Sequence, residues 1–163
     1  MKNLKDTQKL AQDLAKKWSK KPGPLVIALY GNLGAGKTTF AQFLARALGV
    51  REKVLSPTFL IIKTFFIDTR ICADRIPKQA RIYADRAKYK RLVHIDCYRL
   101  RSARELLKLG LKNILKDKEN IVVMEWAEKV ERYLPAGTKR MHFEVTGESR
   151  RYVYLSEKRR AKN

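Results

Sequence analysis

Leu4, Ala11, Leu14, Ala15 and Trp18 recur at helical spacing across residues 3–20, with lysines and other polar residues between them. That pattern predicts an amphipathic helix with one buried stripe. Lys21-Pro22-Gly23-Pro24 breaks it. Residues 25–30 then form an unbroken apolar run of strand length, as expected of a parallel strand covered on both faces. A glycine-rich loop follows. Residues 38–48 return to helical spacing and close on Gly49, where a helix C-terminal cap belongs.

Residues 60–67, rich in Ile and Phe, and the apolar runs 92–96 and 121–125 predict three more strands. Ser102 and Glu105 have capping-box spacing, so a helix starts there and ends near Gly110. Residues 127–133 read as helical and stop before Pro135. Residues 140–146 and 151–155 flank Gly147-Glu148 and predict a hairpin. Strands alternating with helices imply an α/β fold with a mostly parallel sheet, to which the hairpin adds antiparallel strands at one edge.

A chain of 163 residues, 45% of them hydrophobic, suits a single domain over 1–163. A basic, polar stretch at 66–91, with Pro77 inside, reads as an insertion, and the charged tail from 157 reads as frayed. No apolar run reaches 18 residues and the N-terminus lacks a signal-peptide core, so no membrane span and a cytoplasmic location are expected. Cys72 and Cys97 form no C-x-x-C pair, and His94 and His142 are too few to complete a structural zinc site.

Charge changes the picture. Thirty-seven Lys+Arg against 16 Asp+Glu give +21, a surface that attracts phosphate-rich partners, nucleic acid first among them. The excess is spread over residues 1–21, 68–91 and 148–163, and no aromatic-interleaved RNA-binding motif accompanies it. Proximity to nucleic acid is compatible with this; autonomous sequence-specific binding is not expected.

The most specific feature is Gly31-Asn32-Leu33-Gly34-Ala35-Gly36-Lys37-Thr38, a G-x-x-x-x-G-K-[ST] loop between an apolar strand and a helix. With glycine at about 7% of residues, a chance match is on the order of 1% or less. The glycines let backbone N–H groups turn inward on phosphate oxygens, and the helix dipole adds to the attraction. Lys37 reaches the β- and γ-phosphates, the Thr38 hydroxyl is a magnesium ligand, and Thr39 is placed for the α-phosphate or for packing. ATP and Mg2+ are the implied ligands.

Such a site also needs carboxylates, and the carboxyl ends of parallel strands are where they belong. Glu125 and Asp96 each end an apolar run. His94 lies two residues before Asp96, on the same strand face, and either contacts Asp96 or substrate or is a buried structural residue. His142 is expected to be structural. Two other functions remain open on these features. A small-molecule or nucleotide kinase would use the same loop with the basic insertion as a lid. A non-catalytic nucleic-acid-binding module would use the charge alone.

Five segments in order, 31–40, Ser56-Pro57-Thr58-Phe59, His94-Ile95-Asp96-Cys97-Tyr98-Arg99-Leu100, 105–111 and Glu125-Trp126-Ala127-Glu128, resemble the TsaE (YjeE) family. These are bacterial P-loop ATPases of tRNA threonylcarbamoyladenosine (t6A) biosynthesis. The resemblance implies a P-loop three-layer α/β fold. It also implies ATP hydrolysis that is weak alone and supported by the TsaB–TsaD complex, which modifies adenosine 37 of tRNAs reading ANN codons. It makes residues 56–59 a switch loop in which Thr58 helps hold magnesium or senses phosphate. It assigns catalytic carboxylates to Asp96 and Glu125 and places Trp126 near the nucleotide. Asn32 departs from the family's usual acidic residue, Phe65 from a common tyrosine. The 66–91 connection is longer than usual, and a docking or tRNA-facing role for it stands beside that of a solvated loop.

Overall fold

A computed structural model describes residues 4–18, 23–57, 60–68, 89–146 and 151–156. Thr58, Phe59, Cys72, most of the 66–91 insertion and the tail from 157 lie outside the described residues.

The elements run α1 (Leu4–Trp18), β1 (Leu25–Tyr30), α2 (Lys37–Ala47), β2 (Ile62–Phe66), β3 (Arg91–Asp96), α3 (Ala103–Lys108), α4 (Leu111–Lys116), β4 (Asn120–Glu125), a 3-10 helix (Ala127–Tyr133), β5 (Lys139–Val145) and β6 (Arg151–Ser156). The strands form one sheet in the order β2-β3-β4-β1-β5-β6. β3, β4, β1 and β5 run parallel to one another, whereas β6 pairs antiparallel with β5. The mostly parallel sheet with a C-terminal hairpin is thus as expected.

The opposite edge differs in one respect. β2 runs antiparallel to β3, so antiparallel strands close both edges and not only the hairpin side. β2 is also shorter than the 60–67 run. Ile61 has φ 65°, a left-handed conformation that a β-branched residue rarely adopts. The chain turns at that point, with Ile61 N–H bonded to Pro57 O at 2.6 Å.

Two cores sandwich the sheet, because successive strand residues point to opposite faces. Leu25, Ile27 and Leu29 of β1 join Trp18, Phe40 and Leu44 of α1 and α2. Val26 and Ala28 join Leu106, Leu111, Leu115, Val130 and Leu134 on the other face. Burying one such large apolar side chain stabilises the fold by about 1.5–3 kcal/mol. Phe65 is fully buried in the first core, so its bare ring suits a place where a tyrosine hydroxyl would need a partner. The predicted capping box is present at Ser102 and Glu105. Gly110, at φ 84°, ends that helix and at once starts α4, a second short helix that the sequence pattern does not mark.

The architecture fixes where a site can form. From β1 the chain moves to β3 and β4 on one side and later to β5 on the other. In an open α/β sheet the crevice at that switch, beyond the carboxyl ends of the strands, is where ligands bind. The glycine loop connects β1 to α2 at this crevice.

Candidate active site

Three glycines shape the loop. Gly31, Gly34 and Gly36 have φ of 128°, 75° and 99°, values that side chains with a Cβ rarely adopt. Gly31 is constrained further: a Cβ built on it would lie 2.2 Å from the backbone oxygen of Phe143 on β5. A backbone oxygen cannot move aside as a side chain can. Gly31→Ala is expected to destabilise the fold by about 2–4 kcal/mol, combining strain and overpacking. Gly137→Ala, where nothing lies within 4 Å of the added carbon, should stay within about 1 kcal/mol. Urea unfolding of the two variants measures both.

Lys37 is buried, with 4% of its surface exposed. Its Nζ donates to Gly31 O at 2.6 Å and Asn32 O at 2.9 Å, and sits 3.9 Å from the centre of the Trp126 ring. Burial lowers its pKa below the usual lysine value, and the charges of Glu125, Glu128 and Asp96 partly offset that. Trp126 reaches the ammonium because its own backbone is left-handed, at φ 56°, directly after β4. Leu33 is exposed at the loop tip and Ala35 is buried beneath it.

Glu125 and Asp96 are direct neighbours in register at the ends of β4 and β3. Thr38 Oγ1 donates to Glu125 Oε2 at 2.8 Å. Both are hard oxygen donors on adjoining elements at the loop mouth, and this donor set suits magnesium, which takes one or two protein oxygens and completes its shell with phosphate and water. Thr39 follows on the same first turn of α2, half-buried. Asp96 Oδ2 accepts from Ser56 Oγ at 2.5 Å and Oδ1 from Tyr98 N–H at 2.9 Å. Ser56 is therefore tied to the strand-end carboxylate, and Pro57 beside it is buried.

His94 does not pair with Asp96. Its Nε2 lies 2.8 Å from Glu125 Oε1, with both side chains buried; a carboxylate only accepts, so Nε2 carries the donated proton. The histidine thus orients Glu125. Sequence spacing puts His94 beside Asp96 along one strand, but the closer partner lies across the β3–β4 ladder. His142 stacks between Tyr30 and Tyr154, with ring centres at 4.7 and 4.8 Å, and bonds Ser156 Oγ. That is a packing role. Cys97 is buried, and burial together with the adjacent Asp96 charge pushes its thiol up to about 12, which keeps it out of thiolate chemistry.

Two features beside the loop have no local sequence signal. A cleft of about 310 Å³ opens between Gly31 and Asn32 on one side and Phe143, Glu144, Val145 and Thr146 on the other. Arg151, the first residue of β6, reaches the glycine loop: its Nη2 is 3.4 Å from Gly34 O, and its Cδ is 3.5 Å from where a Cβ on Gly36 would be.

A mostly parallel α/β sheet with a glycine loop, a buried loop lysine and a strand-end carboxylate bonded to the following threonine is the strand–loop–helix setting that the G-x-x-x-x-G-K-[ST] motif requires. The family model for TsaE, described as threonylcarbamoyl adenosine biosynthesis protein TsaE, matches residues 1–74 and 78–153. The chain belongs to the TsaE family. It is 30% identical over 150 residues to the tRNA threonylcarbamoyladenosine biosynthesis protein TsaE of Rickettsia felis, covering 91% of this chain and 73% of that one. To the protein of the same name from Treponema pallidum it is 30% identical over 151 residues, covering 90% and 95%. Its fold is similar to that of the Bacillus subtilis YdiB crystal structure, with a TM-score of 0.63 and 25% identity over 94% of this chain and 79% of that chain. Among the described residues no helix is long and apolar enough to cross a membrane.

Proposed function

We propose that this chain is a cytoplasmic ATPase required for t6A formation, acting with the TsaB–TsaD complex that modifies adenosine 37 of tRNAs reading ANN codons. The observation that carries the ATPase reading is the Thr38–Glu125 contact at the mouth of the glycine loop. It brings together a hydroxyl and a carboxylate that would hold magnesium. Family membership and the names of the relatives support the pathway.

In this reading the N–H groups of 31–36 wrap the phosphates. Lys37 leaves the carbonyls of Gly31 and Asn32 for the β- and γ-phosphates. Thr38 and Glu125 would hold magnesium, which when bound would neutralise developing charge. The cleft beside Gly31 and Asn32 gives the base and sugar room, Thr39 lies at the α-phosphate, and Trp126 borders the site. Asp96 orients the attacking water. Ser56, bonded to Asp96, couples that step to the switch loop 56–59, in which Thr58 joins the metal or senses the γ-phosphate. The net charge of +21 favours proximity to tRNA, while the threonylcarbamoyl transfer itself belongs to the partner complex.

Asp96→Asn tests the water-orienting role. The amide keeps an oxygen for Tyr98 N–H and an NH2 for Ser56 Oγ, so the fold should survive. Turnover at saturating ATP should fall on the order of a hundredfold or more, the usual worth of a proton-accepting group; an unchanged kcat removes Asp96 from the chemistry. The function as a whole is tested by ATP turnover of the purified chain, alone and with TsaB–TsaD. Slow release of phosphate that the complex accelerates is expected. Turnover that instead demands a small phosphoryl acceptor would make the protein a kinase.

A further inference from the structure

We propose that Arg151 is a nucleotide-positioning residue supplied in cis, whose guanidinium moves from the Gly34 carbonyl onto the α-phosphate side of a bound nucleotide. The inference rests on the P-loop reading above and deepens it.

Three observations carry it. First, Arg151 reaches the loop that would wrap the phosphates. Its Nη2 lies 3.4 Å from Gly34 O, and its Cδ stands beside Gly36. The contact with Gly34 is long for a hydrogen bond, so a phosphate oxygen offers the guanidinium a stronger acceptor. Second, the hairpin fixes the approach. Arg151 pairs with Val145 in the β5–β6 ladder, and Val145 lines the cleft together with Gly31 and Asn32. Val153, two residues further along and therefore on the same face, packs against the core under α2. The arginine is thus directed over the glycine loop and away from the opposite face of the sheet.

Third, the strand order decides which phosphate it meets. Glu125 and Asp96 lie on β4 and β3, on one side of β1; β5, β6 and the cleft lie on the other. A nucleotide spanning the mouth of β1 has its terminal phosphate at the carboxylates and its base towards the cleft. Arg151 is on the base side. It therefore serves diphosphate and triphosphate alike, and it is not the group that stabilises the transferring phosphoryl.

The test is isothermal titration of the full chain and its Arg151→Ala and Arg151→Lys variants with ADP and with a non-hydrolysable ATP analogue, alongside kcat and KM for ATP. Affinity of Arg151→Ala for both nucleotides should fall about tenfold, the worth of one charge-assisted hydrogen bond. KM should rise with it, kcat should change less than threefold, and Arg151→Lys should recover part of the loss. Wild-type affinity in Arg151→Ala overturns the proposal. So does a loss confined to the triphosphate and to kcat, which would move the arginine to the γ-phosphate. So does an equal loss in both variants accompanied by a lowered Tm, which would make it structural. A parent chain that binds neither nucleotide overturns the P-loop reading itself.

Discussion

Replacing Lys37 by alanine should weaken ATP and ADP binding on the order of a hundredfold or more while leaving the fold nearly as stable as before. The two halves of this expectation have separate causes. The ammonium is buried and loses hydration, which lowers its pKa. Two loop carbonyls and the Trp126 ring compensate it in the absence of ligand. Removing the lysine removes the desolvation cost along with those contacts, so the stability change should stay within about 1 kcal/mol. A bound triphosphate has no substitute for the charge, and two charge-assisted hydrogen bonds are worth about 3 kcal/mol or more. Titration calorimetry reads the affinity and thermal unfolding reads the fold. Near-native affinity in the variant would remove Lys37 from the phosphate site.

Glu125→Ala should act on turnover more than on binding. Glu125 shares the loop mouth with Thr38 and is oriented by His94 through its other oxygen. Without the carboxylate the proposed magnesium site would keep only hydroxyl donors, and turnover should fall about a hundredfold or more. Nucleotide affinity rests mainly on the loop amides and Lys37 and should fall less than tenfold. The variant should also lose about 1–3 kcal/mol of stability, because His94 Nε2 is left buried without its acceptor. Glu125→Gln keeps the shape and an oxygen for His94. It should regain most of that stability but not the turnover. Phosphate release measured across a magnesium titration separates these effects, and turnover unaffected by Glu125→Ala would contradict the assignment.

The parts of the site that could be read from sequence are those encoded within a few residues. The glycine loop carries its own conformational demand at Gly31, Gly34 and Gly36. Asp96 and Glu125 stand out because each ends an apolar run, and parallel strands deliver such ends to one crevice. What could not be read depends on register or on long closure. His94 finds Glu125 only because Asp96 and Glu125 are level across the β3–β4 ladder. The pressure of Phe143 O on Gly31 needs β5 beside β1. Arg151 meets Gly34 across 117 positions of chain, a distance over which no periodicity carries information. For the fold, unbroken apolar runs identified the buried strands. They did not distinguish β2 as antiparallel, since an edge strand of Ile and Phe reads like a central one. The end of α3 near Gly110 is legible, but α4, which starts at once after that glycine at φ 84°, carries no mark of its own in the pattern.

In the proposed function the nucleotide cycle at this loop sustains t6A formation. Its most direct test is the t6A content of an unmodified tRNA incubated with ATP, a threonylcarbamoyl donor and the TsaB–TsaD complex, with this chain or its Lys37→Ala variant added or omitted. Repeated rounds of modification are expected only with the wild-type chain. Equal t6A yields without the chain, or with Lys37→Ala in its place, would contradict it.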